Sequence, residues 1–435
     1  MSDHNSANNQ SKMLLTKLVV SYLTIISLAI FFLTATYFVA IKNYDLEKNI
    51  NQSIKTLESE GTYPSFGFSP RKIILDNFTD ALMLNIGYSV DSKWSDFAIF
   101  NKRYVVFGDD TDQLVNLKSE YERKYDFRLS YERYWHGYLI YLRPLLLIAS
   151  YNDIRQILSF ILFWTFFLTI NELAKKRWYS KMVAVIVAAF SVDIIYLGNS
   201  IQFSQVFIIG FIASLFYLAN NKTNVYLLLF NVGMITAFFD LLTAPLVTLG
   251  LLLIVTSYRE DFSLLIKKIF FWLGGYSIFW ASKWVIVELL FEKGVVMRAI
   301  NQIMIRTIEK SDSNYSQLRA IKLNFDQLVD YGDLGKAPLF LIISILLLLI
   351  IIFRKRKLDR KKLIYWFSMM LLPYIWYAVL GNHSYVHKWF TYRTQFMTIA
   401  GGLMCFFGLI DKRKAKSFLK KITFKRNKKR FKEVH

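Results

Sequence analysis

Ten runs of predominantly apolar residues divide this chain, at 18–41, 155–173, 182–198, 201–219, 225–240, 244–257, 269–290, 337–353, 363–380 and 393–410. A helix needs about 20 such residues to cross a bilayer, and fewer when its neighbours bury it. With 54% of its residues hydrophobic, the chain carries more apolar surface than one water-surrounded core can hide. The expected fold is an all-α polytopic membrane protein with about ten transmembrane helices. The first run is too long for a signal peptide and lacks a small-residue cleavage site, so it reads as an anchor. Asp240 and Pro245 mark a tight turn between two short spans. The single cysteine, Cys405, lies in an apolar run, which excludes a disulfide framework and a cysteine-built metal site.

Lysine and arginine placement sets the expected orientation. With the N-terminus inside, the inner segments are 1–17, 174–181, 220–224, 258–268, 354–362 and 411–435. Together with Glu172, at the inner end of the second span, they hold 29 basic and seven acidic residues, which is the whole net charge of +22. The charge is thus a topology signal, and nucleic acid has no other support as a partner. The expected order is a cytoplasmic N-terminus at 1–17, a first span at 18–41 and an extracytoplasmic loop with interfacial helices at 42–154. Spans then fill 155–290, a second outer loop covers 291–336, further spans fill 337–410, and a basic cytoplasmic tail closes the chain at 411–435. That tail suits anionic lipid headgroups, or acts simply as a solvated anchor.

Large outer loops suggest chemistry at the membrane surface, since carriers keep theirs short. In the first, Asp76 and Asp80 stand four apart, so a helix puts both carboxylates on one face. Near apolar surroundings such a pair can supply a general base; otherwise it is a solvated helix face. Asp109-Asp110-Thr111-Asp112 contains an Asp-x-Asp, the pattern that holds a divalent metal against a diphosphate, but no strand-plus-glycine phosphate loop accompanies it and a turn explains it better. The stretch 138–149 is too short to cross, carries Arg143-Pro144, and is expected along the interface. Among charges inside spans, Asp193, Asp240, Lys283 and Glu288 all fall in the outer halves, around an expected cavity open to the exterior. In the short loop 381–392, His383 and His387 have the spacing for a shared metal on a helix, but no acidic residue completes a site. Lys388 and Arg393 make this cluster cationic, which suits a phosphate.

Taken in order, the early acidic motif, the segment His136-Gly137-Tyr138-Leu139-Ile140-Tyr141-Leu142-Arg143-Pro144 and Asn152-Asp153-Ile154-Arg155 resemble the GT-C superfamily of integral-membrane glycosyltransferases. Protein O-mannosyltransferases and aminoarabinose transferases belong to it. The family loop ends in His-Pro-Pro-Leu with an Arg opening the next span; His136 and Arg155 match these, and Gly137 stands where a Pro would be. The resemblance covers 1–175 best. It implies transfer of a sugar from a polyprenyl-phosphate donor to an envelope glycan or protein acceptor on the outer face of the cell membrane. It further implies Asp80 as the base, with Asp76 as second candidate, and Lys283, Lys388 and Arg393 as contacts to the donor phosphate. His136, Arg155, Asp240, His383 and His387 are the supporting groups, and no cofactor is required beyond a possible divalent metal. The Lys-, Ile- and Asn-rich usage fits a low-GC Gram-positive bacterium. The alternatives are an envelope-polysaccharide polymerase or ligase, and a lipid-linked sugar flippase or other transporter. Neither an inverted repeat nor a polar file through the span midplanes favours transport.

Overall fold

The computed structural model describes residues 2–39, 44–66, 73–89, 100–106, 108, 112–220, 222–257, 261–411, 413–415 and 417–418, and these are predominantly helical. The chain opens with α1 (Ser2–Val39) and the amphipathic α2 (Tyr44–Glu60). The antiparallel ribbon β1 (Ser65–Phe66) and β2 (Ile73–Ile74) leads to α3 (Asn77–Tyr88). A second ribbon, β3 (Arg103–Val105) with β4 (Phe127–Leu129), brackets α4 (Gln113–Tyr121). Then come α5 (Leu139–Leu146), α6 (Tyr151–Lys175), α7 (Tyr179–Ser191), α8 (Ile194–Leu197), α9 (Ile201–Ala219), α10 (Val225–Phe239) and α11 (Leu246–Val255). The long α12 (Phe262–Leu290) is followed by α13 (Val295–Thr307) and α14 (Gln317–Val329). The last part holds α15 (Ala337–Phe353), α16 (Arg360–Val379), α17 (Gly381–Val386), α18 (Lys388–Thr391), a 3₁₀ turn (Tyr392–Gln395) and α19 (Phe396–Leu409).

Every apolar run has become helix, but the lengths are uneven. Among the described residues four helices are long and apolar enough to cross a membrane, at Lys12–Tyr37, Tyr151–Lys175, Ile201–Ala219 and Phe262–Leu290. The shorter apolar helices include α7, α10, α11 and α15. At about 1.5 Å per residue α11 is roughly 15 Å long, half a hydrocarbon core. All ten of its residues are buried, so it is an inner helix shielded by its neighbours. The run 182–198 is likewise divided, because Asp193 adopts a left-handed conformation (φ 64°) between α7 and α8.

Close packing comes from small residues. A Cβ at Gly233 would lie 2.2 Å from the Trp272 carbonyl, and one at Gly275 would lie 2.0 Å from that of Phe230. Only glycine lets α10 and α12 approach this closely. One continuous core runs from Leu46 of α2, through Leu142 of α5 and Phe207 of α9, to Met404 of α19.

The first large loop is a packed layer capping one end of the bundle. The segment 138–149 is part of this layer. In α5 the side chains of Leu139, Leu142, Arg143 and Leu146 are buried, and Arg143 donates to Thr36 Oγ1 of α1 at 3.0 Å. The three segments that the sequence assigns to the outside meet there. Arg133 donates to Gln302 at 2.8 Å, Arg306 lies 2.9 Å from His383 Nδ1, and Tyr63 packs edge-on against Trp389.

Candidate active site

Asp76 and Asp80 do share one region, with different surroundings. Asp76 is the N-cap of α3: its Oδ1 accepts from Thr79 N at 3.0 Å and its Oδ2 from Thr79 Oγ1 at 2.8 Å. Each oxygen has one donor, both from its own turn, and a carboxylate oxygen can accept more. Burial, with the Asp80 charge adding to it, outweighs these bonds and the nearby Arg393 guanidinium and pushes the Asp76 carboxyl up to about 6. Tyr63, stacked over Phe78, stands close enough for the Asp76 charge to help burial push its phenol to about 12.

Asp80 is fully buried and taken up by four donors. Tyr151 Oη donates at 2.7 Å and Ser200 Oγ at 3.2 Å, while the backbone N–H groups of Ile201 and Gln202 donate at 3.0 and 3.1 Å. The carboxylate therefore sits on the N-terminus of α9, where orphan N–H groups and the helix dipole favour an anion. Burial nevertheless raises its pKa to about 6. Arg155 does not touch Asp80. It pairs with Glu60 through both terminal nitrogens, at 2.9 and 2.6 Å, and stacks over the Tyr151 ring.

Below this nest a groove of about 580 Å³ runs between α5, α6, α9 and α10. Its lining extends from Phe216 and Leu228 to Tyr141 and Gln205, about 16 Å along α9 at the helical rise. The lining is almost wholly apolar until its head. There Gln205 donates to the carbonyl of Ile201, the residue whose own N–H holds Asp80. The buried Oε1 atoms of Gln202 and Gln205 lack a hydrogen-bond donor.

Arg393 and Lys388 lie on the adjoining segment. Arg393 is fully buried, with its guanidinium over the Phe203 ring at 4.0 Å and a bond to the Trp389 carbonyl at 3.1 Å. It is a neighbour of Asp76 by charge. Lys388 is half-buried on α18. Next to it, Trp389 Nε1 and His387 Nδ1 are buried without partners.

Most of the remaining expected site residues form a second nest. Lys283 was expected to meet phosphate, yet its ammonium is buried and donates to Asn101 Oδ1 and the Tyr134 carbonyl. It therefore fastens the first loop to α12. Asp240 accepts from Leu242 N and Thr243 N, both at 2.9 Å, which shapes the turn into α11 with Leu242 at φ 66°. His383 closes over that turn. Its Nε2 faces the Leu242 carbonyl at 2.9 Å and so carries the proton, leaving Nδ1 to accept from Arg306. With both nitrogens occupied His383 cannot share a metal with His387, although their rings are 4.8 Å apart. Among the described residues no cluster of His, Cys, Asp or Glu suits a metal ion.

His136 follows the same logic: Nε2 donates to the Tyr131 carbonyl and Nδ1 accepts from Tyr138 Oη. Burial, then the Lys283 charge, holds its pKa well below the usual value. The glycine after it has a physical reason. Gly137 N donates to the Phe238 carbonyl at 2.8 Å, and a Cβ would meet the Phe238 ring at 2.4 Å, so proline is excluded twice. Glu288, another charge expected around an outer cavity, accepts from Gly294 N and Val296 N and so caps α13. Of the Asp-x-Asp cluster only Asp112 is among the described residues, and it caps α4 as a turn residue would; 109–111 lie outside them.

Glu60, Tyr151, Ser200 and Gln205 escaped the sequence reading. One signal was present for Glu60: an acid in the last position of a helix opposes the helix dipole and implies a cation nearby. Neither family models, nor characterised proteins, nor solved structures match this chain, so its functional reading rests on its own residues.

Proposed function

We propose that this chain is a glycosyltransferase of the cell membrane, moving a sugar from a polyprenyl-phosphate donor to an envelope glycan or protein acceptor outside. About ten helices cross or enter the bilayer, with both termini in the cytoplasm. The topology is supported by the basic inner segments and by the meeting of the three remaining segments at one end. The observation that carries the function is the apolar groove, which opens along membrane-facing helices and ends at polar atoms beneath the buried carboxylates. A long prenyl chain fits such a trough, with its phosphate and sugar at the head.

Within this reading the two carboxylates exchange the ranks the sequence suggested. Asp76 is the base, because its oxygens keep accepting capacity and its pKa near 6 leaves it ionised yet basic at neutral pH. Asp80, saturated by four donors, positions α9 against α3. Asp76 takes the proton of the acceptor hydroxyl. That oxygen bonds to the anomeric carbon as the bond to the phosphate oxygen breaks, the configuration inverts, and the lipid phosphate departs with the electron pair. Lys388 is the cation placed to meet that charge, and Arg393 holds Asp76 ionised.

The test is the mass profile of envelope glycans in a deletion strain complemented with wild type, Asp76→Asn or Asp80→Asn at equal protein level. Asparagine still caps a helix, so Asp76→Asn should fold normally and fail to restore one sugar substituent. A deletion that changes no glycan overturns the transferase reading. Full restoration by Asp76→Asn removes that residue from the chemistry.

A further inference from the structure

Helix α13 is built inside out for a water-exposed helix. On a 3.6-residue helical wheel Met297, Ile300, Met304 and Ile308 form one stripe. Their relative exposures are 61, 43, 51 and 64%. The opposite face carries Val295 and Ala299, which are buried, and Gln302 and Arg306, which bind other segments. Large apolar side chains thus point outward along this stripe, bordered by the exposed Asn301 and Arg298, while Val295, Ala299, Gln302 and Arg306 point inward. On the neighbouring α14 the exposed apolar residue Leu318 stands alone beside the exposed Arg319 and Lys322, with Ala320, Asn324 and Leu328 buried.

Two further features say what covers the stripe. The chain reaches α13 from α12, whose last turn exposes Leu289 (68%) and Leu290 (71%), so the apolar surface continues from a membrane-length helix onto α13. The angle between the two is also fixed. Gly294 turns the chain at φ 85°, and Glu288 of α12 accepts from Gly294 N and Val296 N at 3.1 Å each. We propose that α13 lies in the membrane–water interface at the loop-bearing end, with Met297, Ile300, Met304 and Ile308 in the lipid. Its inward face then ties that lipid surface to the interior, since Arg306 holds His383 and His383 holds the turn after Asp240. The inference rests on α12 crossing the bilayer and is independent of the transferase reading.

The test uses full-length protein with Cys405→Ala, reconstituted in phosphatidylcholine/phosphatidylglycerol vesicles. Single cysteines replacing Met297, Ile300, Met304 and Ile308 are spin-labelled, with Lys322→Cys as the water-exposed control. Collision with oxygen and with an aqueous nickel chelate is measured at each. Expected is strong oxygen and weak nickel accessibility at all four, with an oxygen-to-nickel ratio several-fold above that at Lys322. Nickel accessibility equal to the control would place α13 in water and overturn the proposal. Protection from both reagents would place a second protein surface, such as another copy of the chain, on the stripe and overturn it equally.

Discussion

Two nests of buried polar side chains lie at the same end of the molecule, and they differ in what holds their carboxylate and in what lies beside them. Around Asp240 the bonds run between segments: its oxygens hold the turn amides, both nitrogens of His383 and of His136 are used, and Lys283 is fastened to Asn101 and Tyr134, while Thr243 Oγ1, Asn382 Oδ1 and Ser384 Oγ stay without partners among the described residues. Around Asp76 the account stays open. Among the described residues Asp76 has donors only from its own turn, and Gln202, Gln205, His387 and Trp389 all keep buried atoms without partners. Buried polar groups are normally paired. Bonding from one segment to another is what a clamp needs, whereas an open remainder beside an apolar groove is what a ligand completes. Residue type does not separate the nests, since both hold aspartate, aromatic hydroxyls and cations.

Truncating an anchoring carboxylate gives the largest expected effect. Asp80→Ala strands four donors and Asp240→Ala strands two backbone amides, each in a buried site. Leaving a buried donor without an acceptor costs about 1–3 kcal/mol for each group. Both variants should lower the thermal unfolding midpoint sharply, while Asp76→Asn leaves it close to wild type. A stable Asp80→Ala protein would erase the distinction drawn between anchor and base.

Next in size is Lys283→Met, which fills similar space but leaves the Asn101 and Tyr134 oxygens without this donor. The expected loss is about 1–3 kcal/mol of stability. KM for a lipid-linked donor should stay within about twofold of wild type, because no transition-state contact is removed. A tenfold rise in KM at unchanged stability would return Lys283 to the phosphate. In the open nest the matching change is Ala213→Leu, on the groove wall. It should raise KM for long-chain donors by about tenfold, with much less effect on donors too short to reach it.

The sequence carried the helices and little of their bonding. Apolar runs mark helices because burial demands them wherever they go, so all ten could be placed. The same signal overstated their reach for α11, which is short and wrapped by other helices, and missed that Arg143 is drawn under the first loop by Thr36. Asp76 and Asp80 were legible through their spacing, which a helix converts directly into proximity. Their division of labour was hidden because it depends on Tyr151 and on the amides of Ile201 and Gln202, over 70 positions away. Lys283 misled for a related reason. A lysine in an apolar helix signals a partner but does not name it, and here the partners are an amide oxygen and a carbonyl.

The finest contrast between the nests is in their response to pH. Asp76 and Asp80 have carboxyls raised to about 6, so between the unfolded value near 4 and pH 6 the folded protein holds protons the unfolded chain has released. Their share of stability is present below that window and lost as pH rises through it. The imidazoles act in the opposite direction. Burial, helped by the Arg306 charge, lowers His387 to about 4 and depresses His383, so below about 6.5 protons bind the unfolded chain and stability is lost as pH falls. His387→Gln should therefore make the acid-side loss of stability shallower, whereas Asp76→Asn should make it steeper. Activity adds a second readout. Transfer should rise with pH through about 6 as Asp76 ionises, and Arg393→Gln should move that rise upward, because Arg393 helps hold the carboxylate ionised. A rate profile flat across this window, with the stability slopes as described, would leave Asp76 buried like its neighbour and no longer the base.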